Sequence, residues 1–149
     1  MVMIMLMRHA EAIPKSSEMR DEDRPLSDHG KKQVEAICKC IERPALIYTS
    51  PLVRSLETAE LLNKCLGGNI KVETVEWLRP GRLSAKVLLN NIRPGALYIS
   101  HNPQLEETLE ELGISVDLGT GDVVALDVFR RRIIWHLKPS LCMKCLRMP

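Results

Sequence analysis

The apolar run Val2-Met3-Ile4-Met5-Leu6-Met7 ends abruptly in Arg8-His9. A short run bounded by charge in this way reads as a strand buried on both faces. In a parallel sheet the pair would emerge at the strand's C-terminal end, where open α/β sheets place their ligands. A guanidinium clamps anionic oxygens bidentately, and an imidazole can serve as nucleophile or proton carrier. Two other strand ends carry similar chemistry. Ala45 to Thr49 is short and apolar, Ser50-Pro51 follows it, and Arg54 falls in the first turn of the next helix. Ala96 to Ser100 ends in His101-Asn102-Pro103, again at a helix start. If these strands are parallel neighbours, Arg8, His9, Arg54, His101 and two helix N-termini face one crevice. Helix N-termini add unpaired N–H groups and partial positive charge. The set is cationic and lacks metal-binding carboxylates, so it predicts phosphate as ligand with no obligate metal and no cofactor. Arg8 and Arg54 would neutralise phosphoryl oxygens, and His9 would be the in-line nucleophile, passing through a phosphohistidine. His101, on its own a helix-capping residue, would in that company bond a phosphoryl oxygen as charge builds.

Composition bounds the alternatives. At 149 residues the chain is one domain, 1–149, with enough length for a sizeable core. Its 45% apolar and 27% charged residues are ordinary for a globular protein. A net charge of +2 and only 3% aromatics predict no nucleic-acid footprint and no base-stacking platform. No apolar run approaches the roughly 20 residues of a membrane span, so no membrane association is expected. The opening run is too short, and lacks the basic leader, for a secretory signal, so the cytoplasm is the expected compartment. The five cysteines, an odd number, are accordingly expected to be reduced. Cys142-Met143-Lys144-Cys145 is a C-x-x-C without the further ligands that zinc needs, and it reads as a functionally neutral tail. No feature fixes the oligomeric state.

The elements that must position the chemistry follow from periodicity. Glu11 to Asp23 has no apolar period and reads as a long loop, its charge run a solvated face. Ser27 caps a helix carrying Val34, Ile37, Cys38 and Ile41 at helical spacing. A helix opening at Ser50-Pro51 bears Leu52, Leu56, Ala59, Leu62 and Leu66 on one face and ends at Gly67-Gly68. Ile70 to Leu78 is a third strand, Ser84 caps a short helix, and Pro103 to Gly113 is another helix. Val123 to Phe129 and Arg132 to Leu137 form a hairpin turning at Arg130-Arg131. The order β-α-β-α-β-α-β-α followed by a hairpin predicts a three-layer α/β/α sandwich. Its sheet would be mostly parallel, with one antiparallel strand near the C-terminus.

These blocks carry a resemblance. Leu6-Met7-Arg8-His9-Ala10 resembles the Arg-His-Gly signature of the histidine phosphatase superfamily, the phosphoglycerate mutase-like fold, with Ala10 in place of Gly. Tyr48 to Ala59, with Arg54 four after Ser50 and Thr58 four later, resembles its second block, and Ile99-Ser100-His101-Asn102-Pro103 the block of the second histidine. Arg24-Pro25-Leu26-Ser27 with Gly30, and the small size, resemble the short phosphohistidine phosphatases of the SixA type. The resemblance implies a phosphatase with His9 as the phosphorylated nucleophile and Arg8, Arg54 and His101 completing the pocket. Members that cleave alcohol esters generally use a mid-chain Glu or Asp as general acid, and Glu76 is the candidate here, ahead of Glu11 and Asp23. SixA-type members lack one, which is coherent because an imidazole leaving group protonates near neutral pH. The expected substrate is phosphohistidine on a partner protein such as a phosphotransfer domain. A small phosphorylated metabolite is the alternative, and a non-catalytic phosphate-binding module is the third reading.

Overall fold

The computed structural model describes residues 1–146. Six strands and five helices follow in order: β1 (Met3–Arg8), α1 (Asp28–Cys38), β2 (Leu46–Thr49), α2 (Val53–Cys65), β3 (Val72–Thr74), α3 (Ala85–Leu89), β4 (Ala96–Ser100), α4 (Gln104–Glu111), β5 (Val123–Asp127), β6 (Arg132–Leu137) and α5 (Pro139–Leu146). The strands form one sheet in the order β3-β2-β4-β1-β5-β6. β1, β2, β3 and β4 pair in parallel, while β5 runs antiparallel to both β1 and β6. This is the expected α/β/α sandwich with one reversed strand.

The layering follows from strand alternation. Met5 and Met7 of β1, Ile47 of β2, Leu97 and Ile99 of β4, and Val123 and Ala125 of β5 pack on one face, against α1, α2 and α5. Ile4, Leu6, Tyr98, Val124 and Leu126 point to the other face, under α3 and α4. β1 and β4 lie at the sheet's centre with their inner residues fully buried, so Arg8 and Ser100, paired in register, end the two central parallel strands side by side. Ser27 caps α1 by accepting from Gly30 N, and Ser84 caps α3 by accepting from Val87 N, as the sequence predicts. Gly30 is required for packing: a Cβ there would sit 2.0 Å from the Glu11 carbonyl oxygen, inside the loop backbone. No helix among the described residues is long and apolar enough to cross a membrane.

Several expectations need correction. The third strand is only Val72–Thr74: Val75 N still donates to Thr49 O, and the chain then leaves the sheet through a 3₁₀ segment at Glu76–Leu78. α2 begins at Val53, not at Pro51, since Ser50 Oγ accepts from Leu52 N and holds a tight turn first. The cysteines are not all reduced. Cys38 and Cys65, the last residues of α1 and α2, form a disulfide with their Cα atoms 6.2 Å apart. Their separation of 27 residues says nothing of this, because it is the side-by-side packing of two helices that brings their C-terminal ends together. The Cys142–Cys145 segment is no tail: it lies on α5, which packs on α1, and Cys142 is only 2% exposed.

Candidate active site

The C-terminal ends of β1, β2 and β4 open into a cleft of about 450 Å³, whose lining includes Arg8, His9, Arg54 and His101. Four sequence-predicted residues therefore meet at one place, drawn from three elements. His9 N donates to Ser100 O (3.1 Å), extending the β1–β4 pairing one residue beyond the strands. The spacing of the second block has a direct cause. Thr58, one turn after Arg54 on α2, donates to Arg54 O (2.7 Å) and accepts from Ala10 N (3.1 Å), tying α2 to the end of β1. Ala10 is fully buried in the core beneath α1 and does not line the cleft, which is how a methyl replaces the usual glycine hydrogen.

A hydrogen bond to a carbonyl fixes the His9 tautomer. His9 Nδ1 lies 2.7 Å from Ala10 O; a carbonyl only accepts, so Nδ1 carries the proton. Nε2 is then a lone pair, and Arg54 Nε donates to it at 3.3 Å. His101 Nε2 lies 2.9 Å from Ser50 Oγ and 3.3 Å from Ser55 Oγ. A Ser50 hydroxyl that accepts from Leu52 N and donates to His101 Nε2 assigns the His101 proton to Nδ1. His101 Nδ1 and Arg8 Nε are both buried donors without a partner in the protein. Unsatisfied buried donors are rare, and two beside His9 suit an anionic ligand. The two rings stand 5.1 Å apart, centroid to centroid.

Burial is the largest influence on both rings. It pushes His9 down to about 4, with Arg54, Arg8 and Arg24 adding to the effect and the bond to Ala10 opposing it. It pushes His101 down to about 2, assisted by His9 and Arg54. Both are neutral at pH 7, as a nucleophilic imidazole must be. An unfolded chain protonates these histidines near pH 6.5, so between that pH and about 4 it binds more protons than the folded chain. Stability is therefore complete above pH 6.5 and is lost as the pH falls towards 4. Urea unfolding at pH 7.5 and pH 5 should show a loss on the order of 2 kcal/mol per ring. His9→Asn should remove its share, and an unchanged acid slope in that variant would refute a neutral, buried His9.

Charges from the long loop complete the site, and the residue pattern of the loop does not announce them. Its dense charge run reads as a solvated face, yet Asp21 lies in a 3₁₀ turn at Asp21–Asp23 that reaches the cleft. Asp21 O accepts from Arg54 Nη1 (2.9 Å), and Asp21 Oδ2 faces Arg54 Nη2 (3.3 Å). Arg24 Nε holds the other Asp21 oxygen at 2.9 Å. Asp21 thus aims the Arg54 guanidinium so that Nε meets His9. The only prior signal was Arg24 in its Arg-Pro-Leu-Ser motif, three residues on. On the far wall, Gly121 N donates to both Arg8 O and His9 O, and Leu118 O accepts from Arg8 Nη1 (2.9 Å). Glu76 lies elsewhere: it pairs with Arg79, its side chain is 65% exposed, and it does not line the cleft. Glu11 lines the cleft and accepts from Ser27 Oγ (2.8 Å), while Asp23 is exposed and pairs with Arg20. Among the described residues, no three His, Cys, Asp or Glu side chains are arranged to hold a metal ion.

Similarity to known proteins agrees with this geometry. The fold superposes on a protein assigned as phosphohistidine phosphatase SixA from Agrobacterium tumefaciens with a TM-score of 0.77 and 24% identity, covering 93% of this chain and 98% of that one. A protein histidine phosphatase SixA complexed with tungstate gives 0.73 and 22% identity, over 93% and 98% of the two chains. A phosphoserine phosphatase mutant from Entamoeba histolytica in complex with phosphoserine gives 0.71 and 17%, over 94% and 98%. No curated protein matches the sequence significantly. The model of the histidine phosphatase superfamily (branch 1) matches residues 4–80, about half of the chain. The chain therefore belongs to the histidine phosphatase superfamily, and its enzyme class is that of a phosphatase.

Proposed function

We propose that the protein is a metal-independent phosphohistidine phosphatase acting on a partner protein, such as a phosphotransfer domain. Arg8 and Arg54 bind the phosphoryl oxygens, and His9 Nε2 attacks phosphorus in line. The P–N bond to the partner's imidazole breaks, and that imidazole, protonated on its other nitrogen, departs neutral. Ala10 O steadies the positive charge that forms on the phosphorylated His9 ring through the Nδ1 proton. His101 Nδ1–H supports the developing charge on a phosphoryl oxygen. Water then attacks phosphohistidine 9, releasing phosphate and restoring Nε2.

One observation carries the choice of substrate. Among the described residues, the carboxylates lining the cleft are Glu11 and Asp21, and neither is free to serve as an acid. Burial pushes the Asp21 carboxyl up, but Arg54 and Arg24 outweigh it and hold it below the usual carboxylate range, so it stays an anion. Glu11 is engaged by Ser27. A positioned general acid contributes roughly 10²–10⁴-fold, and a substrate that protonates its own leaving group does without it. The SixA proteins on which the fold superposes support the same choice. The likeness to a phosphatase holding phosphoserine favours a second reading, a small-molecule phosphomonoesterase, in which Glu11 would have to leave Ser27 and donate a proton.

The discriminating measurement is kcat/KM in EDTA for a phosphohistidine-bearing protein and for a series of phosphate monoesters. Phosphohistidine should be preferred over alkyl phosphates by about 100-fold or more, and ester rates should fall steeply as the leaving-group pKa rises. Equal rates for phosphohistidine and phosphoserine would overturn the proposal in favour of the second reading, and loss of activity in EDTA would overturn metal independence.

A further inference from the structure

Arg8 is aimed by a backbone carbonyl. Its Nη1 donates to Leu118 O (2.9 Å), and its Nε is buried with no partner in the protein. A guanidinium is planar, so one fixed N–H sets the direction of the others. The carbonyl that aims Arg8 is itself held from α4. Glu106 Oε2 accepts from Leu118 N (2.7 Å) and from Asn102 Nδ2 (2.9 Å). Asn102 Nδ2 also donates to Leu118 O (2.9 Å), so both lone pairs of that carbonyl are engaged, one by Asn102 and one by Arg8. Asn102 lines the cleft beside His101, and Glu106 stands behind it. The far end of the loop has its own anchors. Asp122 Oδ2 accepts from Gly119 N (3.0 Å), His136 Nε2 (2.9 Å) and Lys138 Nζ (2.7 Å), and Gly121 N donates to Arg8 O and His9 O.

We infer that Glu106 is a positioning residue for phosphate binding, acting on Arg8 through the Leu118 carbonyl. The inference rests on the proposed role of Arg8 as a phosphoryl ligand. Leu118 is only 3% exposed, so without the carboxylate its N–H would be a buried donor with no acceptor. Leaving such a group unpaired is costly, and the segment relieves the cost by turning towards water. That movement carries the Leu118 carbonyl away from Arg8 Nη1 and releases the guanidinium. The stretch from Gly119 to Asp122 keeps its place, because its anchors do not involve Glu106. Charge alone predicts the opposite sign. A carboxylate behind an anion site repels the anion, so its removal would strengthen binding. A loss of affinity on deleting Glu106 therefore reports its hydrogen bonds.

The test is tungstate affinity of the full chain by calorimetry, in variants whose fold is checked by circular dichroism. Glu106→Ala should weaken tungstate binding about 10-fold, the scale of one hydrogen bond to a charged group. Glu106→Met keeps the stem and the helix propensity, guards against a folding defect, and should lose as much. Glu106→Gln removes the charge but keeps an oxygen able to accept from both Leu118 N and Asn102 Nδ2, and should bind within about twofold of the wild type. A double-mutant cycle separates positioning from a general structural role. In an Arg8→Ala background Glu106→Ala should cost less than about twofold, whereas in Arg54→Ala it should keep its cost of about 10-fold. Unchanged or stronger binding in Glu106→Ala and Glu106→Met, an equal loss in Glu106→Gln, or a full loss persisting in Arg8→Ala would overturn the inference and leave the role of Arg8 in place. Wild-type affinity in Arg8→Ala would instead refute Arg8 as a phosphoryl ligand, and the inference with it.

Discussion

His9→Ala is expected to lower kcat/KM for phosphohistidine hydrolysis by about 10⁴-fold or more, the scale of loss when a covalent nucleophile is removed. The residue has every property the role requires. It is neutral at working pH, with its pKa lowered to about 4 first by burial. Its Nδ1 proton is fixed on Ala10 O, so the lone pair is on Nε2. Arg54 Nε lies 3.3 Å from that lone pair, where it can follow the phosphoryl group as it transfers. Rapid quench with labelled substrate should trap an acid-labile, base-stable phosphoenzyme in the wild type and none in the variant. His9→Gln, which keeps side-chain bulk at a site only 8% exposed, guards against a folding defect and should be equally inactive. Label on another residue, or substantial turnover in both variants, would refute covalent catalysis by His9.

Arg54→Ala should cost about 10³-fold in kcat/KM, comparable to removing an arginine that stabilises a transferring phosphoryl group. The substitution does more than delete a cation. Asp21 is held over the cleft by Arg54 and Arg24. Without Arg54, its carboxylate would face the phosphoryl oxygens with only one of its two arginine partners and would repel them. Arg54→Lys keeps the charge but cannot address His9 and Asp21 from one planar fork, so it should recover less than about a tenth of the lost activity. Backbone geometry should survive in both, because Thr58 bonds the Arg54 carbonyl and not its side chain. The check is steady-state kinetics together with tungstate affinity by calorimetry. A loss of less than fivefold in Arg54→Ala would show that Arg8 alone handles the phosphoryl charge.

The residues that meet in the cleft were legible because each sits in a local pattern. An apolar run terminated by Arg8-His9 announces a strand end, and a strand followed at once by a helix start announces Arg54 and His101. Where strand ends fall is a short-range property, set by side-chain alternation and by where charge begins. Given several parallel strands, their C-terminal ends must share one edge of the sheet, so convergence follows without knowing any distance. The sandwich and its single reversed strand followed from the order of elements, as β-α alternation and a closing hairpin leave few topologies.

Asp21, the disulfide, the length of β3 and the setting of Cys142 were not legible, for one physical reason. Each depends on which partner arrives from a distant part of the chain. Asp21 becomes an arginine-orienting group only because the loop folds back over α2. Cys38 and Cys65 bridge only because α1 and α2 pack with their ends together. Glu76, a plausible acid by its position in the sequence, is turned to solvent beside Arg79 by a 3₁₀ segment that local periodicity does not reveal. Local residue patterns set the strand ends, and with them the histidines and arginines that could carry the chemistry. The tertiary structure alone decided which carboxylates reach them and which thiols meet, because contact between distant segments is set by packing and not by spacing.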